Sequence, residues 1–126
     1  MDELYREQLL EKYKNPSHKK ILIKPDVRKD DANPLCGDTI EIFLRLDNDN
    51  KVAEATFEGK GCVISQASAD ILMDELPGKT LKEIQGMTRE DMLDLLGLSL
   101  THTRIKCAML ALTAVKKGIV EYEAKK

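Results

Sequence analysis

Cys36, Cys62 and Cys107 are the side chains of this sequence best suited to do chemistry. A thiolate is a nucleophile, a sulfur acceptor and a soft metal ligand, and its surroundings decide which role it takes. Cys36 stands in Pro34-Leu35-Cys36-Gly37-Asp38 and Cys62 in Gly59-Lys60-Gly61-Cys62. Glycine beside both serves a backbone that must bend sharply or approach a ligand closely. Cys62 and Cys107 fall where helices are expected to begin, and there the helix dipole and unpaired N–H groups favour a thiolate. A lone cysteine is most often a small buried hydrophobe. Three of them at junctions between elements, none inside an apolar stripe, point to one shared site.

Asp38 is the fourth candidate. In an extended Cys-x-Asp the two side chains lie on one side of the chain, so Cys36 and Asp38 can face a common point. Three thiolates and a carboxylate complete a four-coordinate zinc site, and the thiolates suit iron and sulfide equally well. As a turn residue, Asp38 would instead cap a backbone N–H. His18, in a polar segment, reads as solvated. His102, five positions before Cys107, stands close enough to the start of the last helix to reach such a site, though it reads first as a loop residue near the helix cap.

The elements that must position these residues follow from periodicity. Asp2 can cap a helix over 3–14, with Tyr5, Leu9 and Tyr13 as one apolar stripe, and Asn15-Pro16 ends it. The stretch 18–33 reads as irregular, with a turn at Asp30-Asp31-Ala32-Asn33-Pro34 and a short strand around 21–23. Alternation over 39–46 puts Ile40, Ile42, Leu44 and Leu46 on one face of a strand. Asp47-Asn48-Asp49-Asn50 turns the chain into a second strand over 51–58 with Ala53, Ala55 and Phe57 inward. After Cys62 the period becomes helical, carrying Ile64, Ala67, Ile71, Leu72 and Leu76, with Ser65 or a neighbour as its start and Pro77-Gly78 as its end. Thr80 with Glu83, and Thr88, cap two short helices. The last helix begins near Thr103 and is expected to end at Lys116-Lys117-Gly118. Helix, strands, then helices predict an α+β fold, a small antiparallel sheet of about three strands with helices packed on one face.

Composition narrows the function classes. The 126 residues allow one domain, 1–126, and 42% hydrophobic with 33% charged residues is a globular balance. A net charge of −2 supplies no strong field for a phosphate backbone or an anionic membrane, and 4% aromatic residues without tryptophan leave no base-stacking platform. Nucleic acid and membrane are therefore not expected partners. An odd number of cysteines with no two closer than 26 positions is not a secreted disulfide framework. With neither a signal-like apolar stretch nor a basic transit segment, the expectation is a cytoplasmic protein with reduced thiols.

Asn33-Pro34-Leu35-Cys36-Gly37-Asp38, the run from Gly59 to Ala69 and Arg104-Ile105-Lys106-Cys107-Ala108 together resemble the iron-sulfur cluster assembly scaffolds of the IscU, SufU and NifU N-terminal family. Leu4-Tyr5-Arg6 and Tyr13-Lys14-Asn15-Pro16 resemble the same family, so the likeness spans nearly the whole chain in order. The resemblance implies a SufE/NifU-like fold with its site at an exposed edge of the sheet. It implies a protein that takes sulfur from a pyridoxal-phosphate cysteine desulfurase and assembles or carries a nascent [2Fe-2S] cluster for recipient apo-iron-sulfur proteins. Cys36, Asp38, Cys62 and Cys107 are then the ligands, and Cys107 the first sulfur acceptor. At Lys106 the chain departs from IscU-type scaffolds, which carry histidine there, and resembles SufU-type proteins, which bind Zn2+ and relay sulfur. It also lacks the SufU-type insertion before the third cysteine. Lys106 would steady the Cys107 thiolate or meet an acidic partner, or else be a solvated surface lysine. A zinc-dependent sulfurtransferase is the second reading and a purely structural zinc domain the third. A hydrolytic zinc enzyme is disfavoured, because no Glu or His stands at a useful offset as general base.

Overall fold

A computed structural model describes residues 3–34, 37–97 and 102–125. The order is α1 (Glu3–Lys14), β1 (Val27–Asn33), β2 (Asp38–Leu46), β3 (Val52–Lys60), α2 (Val63–Glu75), α3 (Leu81–Gln85), α4 (Arg89–Leu96) and α5 (His102–Ala124). The strands form an antiparallel sheet in the order β1-β2-β3. Both α2 and α5 pack against its inner face and against each other, while α1 lies on α2. The core between the layers is aliphatic: Ile40, Ile42 and Leu44 from β2 meet Ala67, Leu72, Ala111, Leu112 and Val115 from the helices. Phe43 is buried on the opposite face of β2, where the Arg28 guanidinium lies 5.5 Å from its ring centre.

The expected β2–β3 hairpin is present, with one refinement. A register shift between Arg45 and Leu46 pairs Leu46 with Val52. Val52 is therefore buried, and Ala53, expected inward by strict alternation, is exposed. Thr80 and Thr88 each close a reciprocal capping box, with Glu83 and Asp91 respectively. By accepting the Thr80 backbone N–H, Glu83 has its carboxyl held below the usual carboxylate range.

Further expectations are corrected. The third strand is β1, at 27–33, and the segment at 21–23 is not part of the sheet. Ile21 and Ile23 are 64% and 80% exposed, and Lys24 sits at a positive φ of 55° that interrupts extended chain. The Asp30–Asn33 stretch is paired strand, not a turn. Its inward side chains Lys29 and Asp31 meet Glu121 and Lys117 of α5 at 2.8 and 3.0 Å. Ion pairs thus replace the apolar alternation of an ordinary half-buried strand. The hydrogen bond to Glu121 also raises the Lys29 pKa.

The last helix does not stop at Gly118 but continues to Ala124. A Cβ at Gly118 would lie 2.9 Å from Val27 Cγ1 and 3.0 Å from Lys29 Cβ, so glycine here lets the helix touch β1. In α1, Leu9 is buried but Tyr13 is 44% exposed, because positions four apart drift around a helix of 3.6 residues per turn. Asp2 and the side chain of Tyr5 lie outside the described residues. Among those residues no helix is long and apolar enough to cross a membrane.

Candidate metal centre

The hairpin register builds the first half of the site. Thr39 pairs with Lys60, which sets Asp38, the first residue of β2, beside Gly61 and Cys62 just beyond β3. Gly37, at φ 72°, closes the preceding turn by donating its N–H to the carbonyl of Asn33 at 2.9 Å. Asp38 is 2% exposed, and its Oδ1 accepts the Cys62 N–H at 3.0 Å. The approach is possible because residue 61 has no side chain. A Cβ on Gly61 would collide with the Asp38 carboxylate and stand 2.8 Å from Ser65 Oγ.

Cys62 is the N-cap of α2, and its Sγ accepts the N–H of Ser65 at 3.4 Å. The helix thus starts one residue after the cysteine, so its unpaired N–H groups face the sulfur. The Cys62 thiol in turn approaches Asp38 Oδ2 at 3.7 Å. Cys107, in the second turn of the neighbouring helix α5, is 3% exposed. Ligand atoms of Asp38, Cys62 and Cys107 all lie within 4.8 Å of one another.

This donor set fits a soft metal. A carboxylate oxygen and a thiolate sulfur on one tetrahedral zinc lie roughly 3.5 Å apart, from bond lengths of about 2.0 and 2.3 Å. The 3.7 Å between Asp38 Oδ2 and Cys62 Sγ needs little adjustment to match. Two thiolates with one carboxylate suit zinc or an iron-sulfur cluster over magnesium or calcium.

Cys36, expected as one of the three thiolate ligands, lies outside the described residues, two positions before Asp38. The side chain of His102 also lies outside them. Lys106 is exposed on α5. His18 is held away from the cysteines on α2: its N–H donates to Asp70 Oδ1 at 2.8 Å, and its ring Nε2 lies 3.1 Å from Asp74 Oδ1. Sequence reasoning missed Ser65 and Gln66, which brace the start of α2 around Cys62. The signal was the spacing Cys62-x-x-Ser65, that of an N-cap and its third helical residue, but cysteine is not among the usual caps.

Residues 4–126 match the family described as the NifU-like N terminal domain. The chain belongs to that family. It is similar to the zinc-dependent sulfurtransferase SufU of Bacillus subtilis, 36% identical over 140 aligned positions that cover 98% of this chain and 94% of that protein. That alignment is longer than this chain, so the Bacillus protein carries residues absent here. The iron-sulfur cluster assembly enzyme IscU of Drosophila melanogaster is 30% identical, covering 97% of this chain and 80% of its own. Among solved structures, a hypothetical protein at 2.3 Å resolution superposes with a TM-score of 0.78 at 28% identity, over 95% of this chain and 99% of that one. The N-terminal NifU-like protein of Brucella abortus does so at 0.76 and 21% identity, over 97% and 96%, and shares the NifU-like fold.

Proposed function

We propose that this single-domain protein serves iron-sulfur cluster assembly in the cytoplasm: it accepts sulfur from a pyridoxal-phosphate cysteine desulfurase and assembles or carries a nascent [2Fe-2S] cluster for apo-protein recipients. The observation that carries this reading is the convergence of Asp38, Cys62 and Cys107, from three separate elements, with all ligand atoms within 4.8 Å. Cys36 completes the set in this proposal.

Cys107 is the proposed sulfur acceptor. Its thiolate attacks the terminal sulfur of the desulfurase persulfide, the S–S bond breaks, and the desulfurase thiolate leaves, so that Cys107 carries the persulfide. Cys107 is buried at 3% exposure, so a donor reaches its sulfur only when the site opens locally. Asp38 supplies the one hard ligand of the set, the corner at which a cluster is released most readily. A second reading, a zinc-dependent relay that never holds a cluster, is supported by the 36% identity to the Bacillus sulfurtransferase.

One experiment separates them. The protein is mixed anaerobically with ferrous iron, cysteine and a cysteine desulfurase, and the visible spectrum is followed. A scaffold develops cluster absorption. Faster desulfurase turnover without colour favours the relay, and neither response would end both readings. In either case Cys107→Ser is expected to bind the desulfurase and take up no sulfur.

A further inference from the structure

Gln66 lies in the first turn of α2, adjacent to the ligand group and not part of it. Its side-chain Nε2 donates to Ser65 Oγ at 3.1 Å and to the carbonyl of Thr39 at 3.4 Å. Thr39 directly follows Asp38. Ser65 donates its Oγ hydrogen to the Cys62 carbonyl at 3.2 Å and its N–H to Cys62 Sγ at 3.4 Å. The Gln66 amide thus ties the backbone beside one ligand to the hydrogen-bonded turn that holds another.

Its remaining polar atom is costly. Oε1 is buried without a hydrogen-bond partner, in a residue only 4% exposed. A buried acceptor left unpaired destabilises a fold and offsets what the two amide hydrogen bonds contribute to its stability. Fold stability alone therefore gains little from glutamine here, whereas the neighbouring site gains a tie.

We propose that Gln66 is a positioning residue for the metal or cluster site. A second side-chain link between the start of β2 and the N-cap of α2 is made by a candidate ligand, Asp38, whose Oδ1 accepts the Cys62 N–H. When Asp38 turns to bind or release cargo, that link is disturbed. The Gln66 link to Thr39 involves no ligand atom and holds the two ligand-bearing elements at their spacing throughout. The inference rests on the reading of Asp38, Cys62 and Cys107 as ligands.

Gln66→Met keeps the length of the side chain and removes its amide, and Gln66→Leu repeats the comparison with a second apolar group. For each, three quantities are measured on the full chain: the thermal midpoint without metal, zinc affinity by chelator competition, and the visible spectrum of the cobalt-loaded protein. The expected result is a metal-free midpoint close to wild type, a roughly 10- to 100-fold loss of zinc affinity, the range typical of groups that orient metal ligands, and a displaced cobalt spectrum. A loss of affinity without a matching loss of stability is what a purely structural residue would not produce. Unchanged affinity and spectrum in variants of a wild type that binds zinc would overturn the inference and leave the site reading intact. So would an affinity loss that merely follows a falling midpoint. A wild type that binds neither metal removes the site reading, and the inference with it.

Discussion

At the residue scale, the site depends on an absence. Gly61 makes room for the Asp38 carboxylate against the start of α2, and any side chain there displaces either Asp38 or Ser65. Gly61→Ala is expected to lower stability by about 1–3 kcal/mol, as overpacking a tight contact does, and to abolish high-affinity zinc binding. Urea denaturation and chelator competition check the two effects. The candidate ligands Asp38, Cys62 and Cys107 were legible in the sequence, because cysteine and aspartate declare their chemistry by type. Of the residues that arrange them, Gly61 was marked by its place beside Cys62. Ser65 and Gln66 act through distance and hydrogen-bond geometry, which no residue type reveals until Thr39 is seen opposite Lys60.

At the element scale, legibility followed apolar periodicity. β2, β3, α2, α3 and α4 each carry a regular apolar pattern or a paired cap, and each lies close to where the sequence put it. Where polar contacts replace apolar ones the pattern disappears, as in β1, whose inward residues answer to Glu121 and Lys117. Gly118 misled for a related reason. Glycine after two lysines looks like a helix end, yet here it is a point of contact between α5 and β1. Gly118→Ala decides which effect wins. In an exposed helix interior the change would stabilise by roughly 0.5–1 kcal/mol, but a Cβ 2.9 Å from the buried Val27 forces the helix off the strand. The net expectation is a loss of about 1–2 kcal/mol, read as a lower denaturation midpoint. A gain in stability would show that α5 moves away from the sheet at little cost.

At the scale of the whole molecule, one buried carboxylate ties both α1 and the segment around His18 to α2. Asp70, fully buried on α2, accepts the His18 N–H at 2.8 Å through Oδ1, and Lys12 Nζ of α1 lies 3.5 Å from its Oδ2. Lys12 is one-third exposed and can turn to water when its partner is removed, so the loss falls short of that for a fully buried pair. Asp70→Ala is expected to cost about 2 kcal/mol, chiefly from the unpaired backbone N–H and the cavity. Hydrogen exchange should show α1 and the segment around His18 losing protection before α2 and α5 do. Equal loss across the chain would mean that α1 is held by Leu9 and the apolar contacts of α2 alone.

The charges of β1 have a consequence beyond concealing the strand. In the sheet order β1-β2-β3, β1 hydrogen-bonds on one side to β2, and among the described residues no strand takes its other side. Such a row of backbone donors and acceptors invites a strand from another molecule. Arg28, Lys29, Asp30 and Asp31 make it a poor template, since an incoming apolar strand would have to strip charged groups of their partners and water. The residues that keep β1 from looking like a strand thus also protect the sheet against aggregation by strand addition.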